Sequence, residues 1–197
     1  MTTIIFDVGN VIVKADHSLT HTILEGYGVP AERAQTFFKN QHYDDFGRGK
    51  IGGRDFYDAL IRDYLKFRLS YEQVVSAHDA HLYDVDTDVL NIMSRIPRGN
   101  LAILTNTNTW QTARVRQLID LTLYSDRILM SNKIKMLKTD DGCFPSVVGK
   151  FETEHGKIWL VDDNLENILK AQEHGLGTIH FENAEQLIRE LEAKSLL

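Results

Sequence analysis

The stretch IIFDVGNVIV, residues 4–13, places a single acidic residue at the end of an apolar run. The run before Asp7 has the near-continuous hydrophobicity of a strand that is buried on both faces. A buried carboxylate without a partner is costly, because burial removes its hydration. Gly9 and Asn10 then interrupt the apolar pattern before it resumes. We therefore predict that Asp7 lies at the carboxyl end of a buried strand and has a functional role there.

Four further apolar runs have the same character and are separated by helical patterns. Together with the first run they predict five strands, at residues 3–7, 101–105, 127–130, 157–161 and 178–181. Continuous rather than alternating hydrophobicity is typical of a parallel sheet covered by helices on both faces. Strands that alternate with helices predict a doubly wound, Rossmann-like α/β fold.

The helical patterns between and after these strands have recognisable starts and ends. We predict helices over 88–95 and 110–119, after an N-cap at Asn164, and after an N-cap at Asn183. Gly175 should end the third of these helices. Each of the last two has an apolar face that we expect to be buried, formed by Leu165, Ile168 and Leu169 in the first and by Leu187, Ile188 and Leu191 in the second. A further helix is predicted over 143–154, although Pro145 and Gly149 lower the helix propensity of this segment.

The alternation of strands and helices stops between residues 18 and 83, where we find helical patterns and no convincing strand. One of these helices is marked by an apolar stripe at helical spacing, formed by Phe56, Leu60, Ile61 and Tyr64. Ser70 and Gln73 form the capping box of another. We predict an all-helical cap over 15–85, inserted into an α/β core that comprises 1–14 and 86–197.

The segment GRGKIGG, residues 47–53, lies inside this predicted cap. It lacks the GxxxxGK[ST] spacing of a P-loop. We interpret it as a flexible turn. The alternative is that Arg48 or Lys50 contacts a substrate.

The amino-acid composition and the net charge indicate which classes of binding partner to expect. The chain has 197 residues, of which 43% are hydrophobic and 25% charged, as in ordinary globular proteins. Its net charge of −6 and pI of about 5.7 argue against binding to nucleic acid or to an anionic membrane. Cys143 is the only cysteine, which excludes an internal disulfide and a cysteine-built metal site. With no targeting pattern at its start and no apolar run near the ~20 residues of a membrane span, we expect a cytoplasmic protein with a small-molecule partner. The sequence leaves the oligomeric state open.

Polar residues lie at or shortly after the ends of the predicted strands. Ligands of a parallel α/β sheet bind beyond the carboxyl ends of its strands, so these residues should converge on one edge. They are Asp7, Thr105 with Asn106, Lys138, and the pair Asp162–Asp163.

Each of these residues also has an ordinary structural explanation. Asp7 can be a helix cap or a satisfied buried acid, and Thr105 a turn residue. Lys138 can be a solvated lysine, with Lys133 and Lys135 as nearby competitors, and the Asp162–Asp163 pair can cap the next helix. A shared function is favoured because all four sites must be explained together.

The chemistry that this set suggests is phosphoryl transfer. Carboxylates from separate strands can hold a hard cation such as Mg²⁺, which prefers oxygen ligands. Such a cation lets an anionic phosphate approach a carboxylate nucleophile. Thr105 and neighbouring backbone amides can bind the phosphoryl oxygens, while Lys138 offsets the charge that accumulates.

Four segments of the chain, FDVGNVIV, LAILTNTN, SNKIKMLK and WLVDDNLENILKAQEHG, resemble in order the four motifs of the haloacid dehalogenase-like (HAD) hydrolase superfamily. The opening is most similar to the FDLGNV branch, which includes bacterial sugar-phosphate phosphatases. The helical insert resembles the small helical cap of that family. The resemblance implies a Rossmann-like core with such a cap, and Mg²⁺-dependent phosphatase activity on a small phosphorylated metabolite.

The resemblance also implies roles for individual residues. Asp7 matches the nucleophile that forms an aspartyl-phosphate, Thr105 the hydroxyl of the second motif and Lys138 the lysine of the third. Asp163 matches the metal ligand of the fourth motif, and Asp162 is an additional ligand or supports it. The family takes a further metal bond from the backbone carbonyl two residues after the nucleophile, which is Gly9 here.

Three positions depart from the family pattern. Most phosphatases of the superfamily have a second aspartate at the position of Gly9, and that aspartate protonates the leaving alcohol. Proline usually follows the lysine of the third motif, where this chain has Thr139. Lys135 stands where relatives often have glycine. Because general acid catalysis is typically worth about 10²–10⁴-fold, the loss of the acid predicts a preference for anomeric sugar phosphates or acyl phosphates. Asp16 or His17 at the cap entrance is a candidate substitute acid.

Two other functions remain open at this point. A dehalogenase would use Asp7 to displace halide from carbon without a metal, but such enzymes have a tyrosine-containing first motif where this chain has Gly9–Asn10. A non-catalytic phosphate-binding or regulatory member of the fold would also be compatible with the departures at Gly9 and Thr139. The retained Asp162–Asp163 pair favours the metal-dependent phosphatase.

Overall fold

The chain forms a parallel sheet flanked by helices, with further helices inserted after the first strand. The computed structural model describes residues 2–151 and 158–197. Within them the strands are β1 (Thr3–Phe6), β2 (Val13–Ala15), β3 (Leu82–Val85), β4 (Leu101–Thr105), β5 (Ile128–Met130), β6 (Ile158–Asp162) and β7 (Gly177–His180).

Helices connect these strands and form the insert. In chain order they are α1 (His17–Gly26), α2 (Ala31–Ala34), α3 (Gln41–Gly47), α4 (Gly53–Ala59), α5 (Tyr71–Asp79), α6 (Thr87–Arg95), α7 (Thr109–Leu118), α8 (Ser131–Ile134), α9 (Cys143–Lys150), α10 (Leu165–Glu173) and α11 (Ala184–Ala193). A π-helical turn, Leu60–Leu65, extends α4. None of the described helices has the length and apolar composition needed to cross a bilayer.

The main sheet has the order β5-β4-β1-β6-β7, and all its strand pairs are parallel. The chain fills one side of β1 with β4 and β5 and the other side with β6 and β7. The strand order therefore reverses at β1, where α/β sheets bind their ligands. All five predicted strands are confirmed to within two residues at each end, except that the predicted start at Lys157 lies outside the described residues.

Alternate residues of β1 serve two hydrophobic cores, because successive side chains of a strand point to opposite faces. Ile4 and Phe6 are buried in a cluster that includes side chains of α6 and α11. Ile5 is buried in a second cluster, with side chains of α9 and α10. Helices thus cover both faces, as the predicted doubly wound α/β fold requires.

Helix α9 forms where its composition disfavours a helix. Pro145 is its third residue, in the first turn, where a backbone N–H has no partner inside the helix. Phe144 and Val147 are fully buried against the sheet. Packing therefore outweighs the low helix propensity of Pro145 and Gly149. The predicted helix is thus confirmed over Cys143–Lys150, and residues 152–154 of the prediction lie outside the described residues.

Helix α10 is rotated from the predicted orientation. Leu165 and Leu169 are 54% and 51% exposed, so the expectation that they face inward is wrong. The buried face consists of Asn167, Ile168 and Ala171. This rotation brings the side-chain amide of Asn167 to Asp162, a polar contact that the hydrophobic pattern does not reveal.

The insert has a hydrophobic cluster of its own. Its buried side chains come from α1 to α5 and the turns between them, with Phe37, Phe46 and Phe56 among the largest, and Trp110 of α7 joins them from the core. The predicted capping box of α5 is confirmed, since Ser70 Oγ accepts from Gln73 N at 3.2 Å and Gln73 Oε1 accepts from Ser70 N at 2.8 Å.

The insert is not entirely helical, which corrects the sequence analysis. β2 and β3 pair antiparallel at its two ends, with Val13 opposite Val85 and Ala15 opposite Leu82. Each strand is only three or four residues long and half of β3 is exposed, so neither has the apolar run that marked the main sheet. This short ribbon lies where the predicted cap, 15–85, meets the predicted core, 1–14 and 86–197, and we retain that division as a proposal.

Candidate active site

Three polar residues reach one edge of the sheet because three neighbouring strands are parallel. Asp7 directly follows β1, Thr105 ends β4 and Asp162 ends β6. All three are buried. The predicted convergence at the carboxyl edge, next to the point where the strand order reverses, is thus what the topology produces.

Lys138 enters this edge from the loop after α8. Its side chain is 1% exposed, and its Nζ lies 2.7 Å from Asp7 Oδ1 and 2.6 Å from Asp162 Oδ2. Its backbone N–H donates to Asn106 Oδ1 at 2.9 Å, which fixes the loop beside the end of β4. Lys133 and Lys135 are exposed, so neither competes with Lys138 for this place.

Lys135 ends α8 in the left-handed region, with a φ of 65°. A residue with a Cβ rarely adopts this backbone conformation, whereas glycine adopts it readily. Glycine would therefore adopt this position with less strain than Lys135 does. The departure at Lys135 therefore leaves the path of the chain toward Lys138 intact.

The site has more negative than positive charge. Carboxylate oxygens of Asp7, Asp162 and Asp163 lie within 4.8 Å of one another, and Lys138 is the cation in contact with two of them. Burial raises the pKa of Asp7 to about 7, a shift that Lys138 opposes and Asp162 reinforces. Three buried or half-buried oxygen donors with one lysine suit a further hard cation, and this donor set fits Mg²⁺.

The two acids at the end of β6 differ in their surroundings. Asp162 is fully buried, and its Oδ1 accepts from Asn164 N at 2.9 Å and Asn167 Nδ2 at 3.0 Å, while its Oδ2 contacts Lys138. Asp163 is half-buried, and burial raises the pKa of its carboxyl. Asp162 is therefore held by protein donors on both oxygens, whereas Asp163 is better placed to accept an outside ligand.

Thr105 and Asn106 occupy different environments. Thr105 is buried, and its hydroxyl makes a long 3.4 Å contact with the carbonyl oxygen of Asn106. Asn106 is exposed, but its side-chain oxygen already accepts from the backbone of Lys138. Of the two predicted phosphate-binding residues, Asn106 thus has a definite structural task, which is to hold the loop that contains Lys138.

Gly9 lies in a tight turn between Asp7 and β2. Asn10 N donates to Val13 O at 2.7 Å, and Asn10 adopts a left-handed φ of 54°. The Asn10 side chain also accepts from Ala15 N at 3.0 Å. A Cβ placed on Gly9 would meet no atom within 4 Å. The turn therefore has room for a side chain at this position.

Asp16 and His17, the two candidates to replace the general acid absent at Gly9, make other contacts. Asp16 caps α1, with its Oδ1 accepting from Ser18 N at 2.8 Å, and hydrogen bonding first to the side chain and then to the backbone of Ser18 lowers the pKa of Asp16. His17 stacks on Phe38, with ring centroids 3.9 Å apart. An acid with a lowered pKa is a poor proton donor near neutral pH.

Several residues at the site escaped the sequence analysis. Asn167 is a polar residue on the buried face of α10, and Ser131 is buried at the carboxyl end of β5. The strand-end rule that selected Thr105 also applies to Ser131, so that signal was available. Arg48 and Asp140 form an ion pair between the insert and the loop after α8. Because 92 residues separate them in the chain, no local pattern links the two.

The fold is similar to solved structures of HAD family enzymes. The HAD family enzyme BT-2542 from Bacteroides thetaiotaomicron, in complex with magnesium and inorganic phosphate, is 20% identical, with 92% of this chain and 94% of that chain covered and a TM-score of 0.80. A predicted HAD-like family hydrolase from Porphyromonas gingivalis is 19% identical over 97% of each chain, with a TM-score of 0.82. The L-2-haloacid dehalogenase from Xanthobacter autotrophicus is 16% identical, with 97% of this chain and 82% of that chain covered and a TM-score of 0.66.

These likenesses establish the fold, which agrees with the resemblance found in the sequence. No protein-family model matches the sequence, and no curated protein matches it.

Proposed function

We propose that this chain, which has the fold of the HAD family enzymes, is a Mg²⁺-dependent phosphatase that acts on a small phosphorylated metabolite through Asp7. The observation that supports this most strongly is the buried cluster of Asp7, Lys138 and the Asp162–Asp163 pair. The complex of BT-2542 with magnesium and inorganic phosphate shows that the same fold can accommodate both.

Asp7, Asp163 and the Gly9 carbonyl would hold the metal, with Asp162 supporting the site from its protein-bonded position. Bound Mg²⁺ would neutralise phosphate charge and orient the phosphoryl group. The fit rests on the oxygen donors and on the excess negative charge of the site.

In the proposed reaction Asp7 acts as the nucleophile. Val8 N at 2.6 Å and Lys138 Nζ at 2.7 Å both contact Oδ1, so we assign Oδ2 as the attacking atom. A bond forms between Oδ2 and phosphorus while the bond from phosphorus to the leaving oxygen breaks. Water then attacks the phosphorus of the aspartyl-phosphate, which releases inorganic phosphate and regenerates the Asp7 carboxylate.

Lys138 and Thr105 would act on the phosphoryl oxygens. Lys138 is fixed by its two carboxylate partners, so its charge needs no reorganisation when negative charge develops nearby. The Thr105 hydroxyl and the backbone amides after it would donate hydrogen bonds to the same oxygens. The departing oxygen receives no proton from Gly9, which favours leaving groups that are already acidic, such as anomeric hydroxyls and carboxylates.

A direct test is a phosphate-release screen over sugar phosphates, nucleotides and acyl phosphates, with and without Mg²⁺. We expect turnover that needs Mg²⁺ and that is lost in Asp7→Asn, because the amide is a poor nucleophile and a poor metal ligand. Thermal unfolding of the variant would verify that it folds. Undiminished turnover in Asp7→Asn would refute the proposal.

The likeness to the haloacid dehalogenase makes carbon–halogen cleavage the second candidate. The two reactions differ in the atom that water attacks. A single turnover in heavy-oxygen water would label the released phosphate in a phosphatase, whereas a dehalogenase would label the Asp7 carboxylate. We expect label in phosphate, and chelation of the metal to stop the reaction.

A further inference from the structure

Residues 47–50 of the insert, here called the cap segment, contact the loop that contains Lys138. Arg48 Nε donates to Asp140 Oδ2 at 2.9 Å, and Arg48 Nη2 donates to Asp140 Oδ1 at 2.7 Å. The two side chains are only 17% and 28% exposed. A bidentate, largely buried guanidinium–carboxylate pair fixes both distance and orientation. The sequence analysis treated this segment as a flexible turn, yet its arginine is bound to the core.

Two backbone carbonyls of the cap segment are bound by the core as well. Ser131 Oγ donates to Gly47 O at 2.7 Å, and Lys135 Nζ donates to Gly49 O at 2.6 Å. Gly49 has a left-handed φ of 62°, and a Cβ there would collide with the carbonyl of Asn132. The close fit of glycine against the core explains why the segment has a glycine at this position.

Asp140 connects this contact to Lys138. Residues 135–140 are here called the lysine loop. Besides Arg48, Asp140 Oδ2 accepts from Leu137 N at 2.9 Å, so the same carboxylate closes the turn around Lys138. Arg48 lowers the pKa of Asp140, which keeps the carboxylate charged and able to accept both donors. On its other side the loop is fixed by the bond from Lys138 N to Asn106 Oδ1.

We propose that Arg48 and Asp140 are positioning residues, through which the cap segment holds the lysine loop so that the Lys138 ammonium stays between Asp7 and Asp162. This inference rests on the proposed function, in which Lys138 acts on the phosphoryl group. Neither residue touches the reacting atoms. The Arg48 guanidinium is already engaged by a carboxylate, so it acts on the reaction through the loop and not by binding substrate.

The kinetic test uses Arg48→Gln and Asp140→Asn with acetyl phosphate as substrate. A misplaced catalytic group can cost about 10²-fold in rate, so we expect each variant to lose about 10- to 100-fold in kcat with a smaller change in KM. Because both residues act through one contact, the double variant should be little worse than either single variant. A raised KM with unchanged kcat in Arg48→Gln would instead mean that Arg48 binds substrate, which would overturn the proposal.

Arg98→Gln is a control for the loss of a bidentate ion pair, at a pair whose side chains are more exposed, 47% and 79%. Arg98 Nε and Nη2 donate to the two carboxylate oxygens of Asp126 at 3.1 and 2.5 Å. Arg98 lies just before β4, at the end of that strand away from Thr105. We expect this variant to retain the wild-type kcat. An equal loss of kcat in Arg98→Gln would show that the loss reflects general destabilisation and would contradict the positioning role.

Hydrogen exchange of the lysine loop tests the same proposal without turnover. In Arg48→Gln the amides of Leu137 and Lys138 should exchange about tenfold faster than in wild type, and in Arg98→Gln they should be unchanged. Unchanged exchange in Arg48→Gln would overturn the positioning role whether or not the enzyme is active. Faster exchange in a protein that hydrolyses no phosphate compound would support the contact and refute only the proposed function.

Discussion

At the scale of single residues, the site depends on how Asp7 and Lys138 share a buried environment. Desolvation disfavours each charge alone, and their 2.7 Å contact compensates. Asp162 and Asp163 then leave an excess of negative charge that a divalent cation would offset. The acids at the strand ends were predicted from the sequence. The hydrogen bond from Asn167 Nδ2 to Asp162 Oδ1 was not, because it depends on the rotation of α10.

Gly9 is the residue that most sharply limits the chemistry. We predict that Gly9→Asp supplies the missing acid, since a Cβ there meets no atom within 4 Å and the backbone needs no unusual φ. Wild type should hydrolyse glucose 1-phosphate faster than glucose 6-phosphate. The variant should gain mainly on the 6-phosphate, by up to about 10²-fold. The measurement is kcat/KM for both substrates in both proteins.

Gly9→Asn is the control for this prediction, because it has nearly the same shape and cannot donate a carboxyl proton. It should leave the preference of the wild type unchanged. Equal rates of the wild type on the two sugar phosphates would contradict the role assigned to the missing acid. An equal gain in Gly9→Asn would do so as well.

At the scale of elements, the parallel strands β1, β4 and β6 place Asp7, Thr105 and Asp162, and the loop after α8 places Lys138 among them. The strands could be located in the sequence from their apolar runs, because a strand buried on both faces needs continuous hydrophobicity. The helix over 143–154 was predicted despite Pro145, which is harmless only in a first turn. The sequence did not show that packing of Phe144 and Val147 sets the position of that turn. The ribbon of β2 and β3 was missed because both strands are short and partly exposed.

His81 lies between α5 and β3, and its titration should affect the stability of the fold. Burial lowers the pKa of His81 to about 3, and His78, His17 and Arg114 around it act in the same direction, while a hydrogen bond to the His78 carbonyl opposes them. In the unfolded chain the pKa should return to about 6.5. Between these values the unfolded state binds a proton that the folded state does not, so stability falls as pH falls below 6.5.

The expected size of this effect from His81 is about 1.4 kcal/mol for each pH unit below 6.5. Chemical unfolding of wild type and His81→Gln at pH 7.5 and pH 5 would measure it. Glutamine preserves a side-chain hydrogen bond but does not titrate, so the variant should lose less stability between the two pH values. Parallel losses in the two proteins would show that His81 is not the group responsible.

At the scale of the whole molecule, the insert and the core are joined by specific side-chain contacts. Trp110 of α7 is buried in the cluster of the insert, and its Nε1 donates to Tyr71 Oη at 2.9 Å. The ion pair of Arg48 with Asp140 is a second contact between the insert and the core. The sequence predicted the existence of the insert and its location after β1. It did not predict these contacts, because each pairs residues that are distant in the chain and unremarkable when taken alone.

The central claim is that Asp7 is phosphorylated during turnover. The most direct measurement is acid-quenched digestion and mass spectrometry after brief reaction with acetyl phosphate and Mg²⁺. The account predicts one phosphoryl group on the peptide that contains Asp7 in wild type, and none in Asp7→Asn or in wild type treated with chelator. Rapid phosphate release by wild type with no adduct at Asp7, together with full activity of Asp7→Asn, would contradict it.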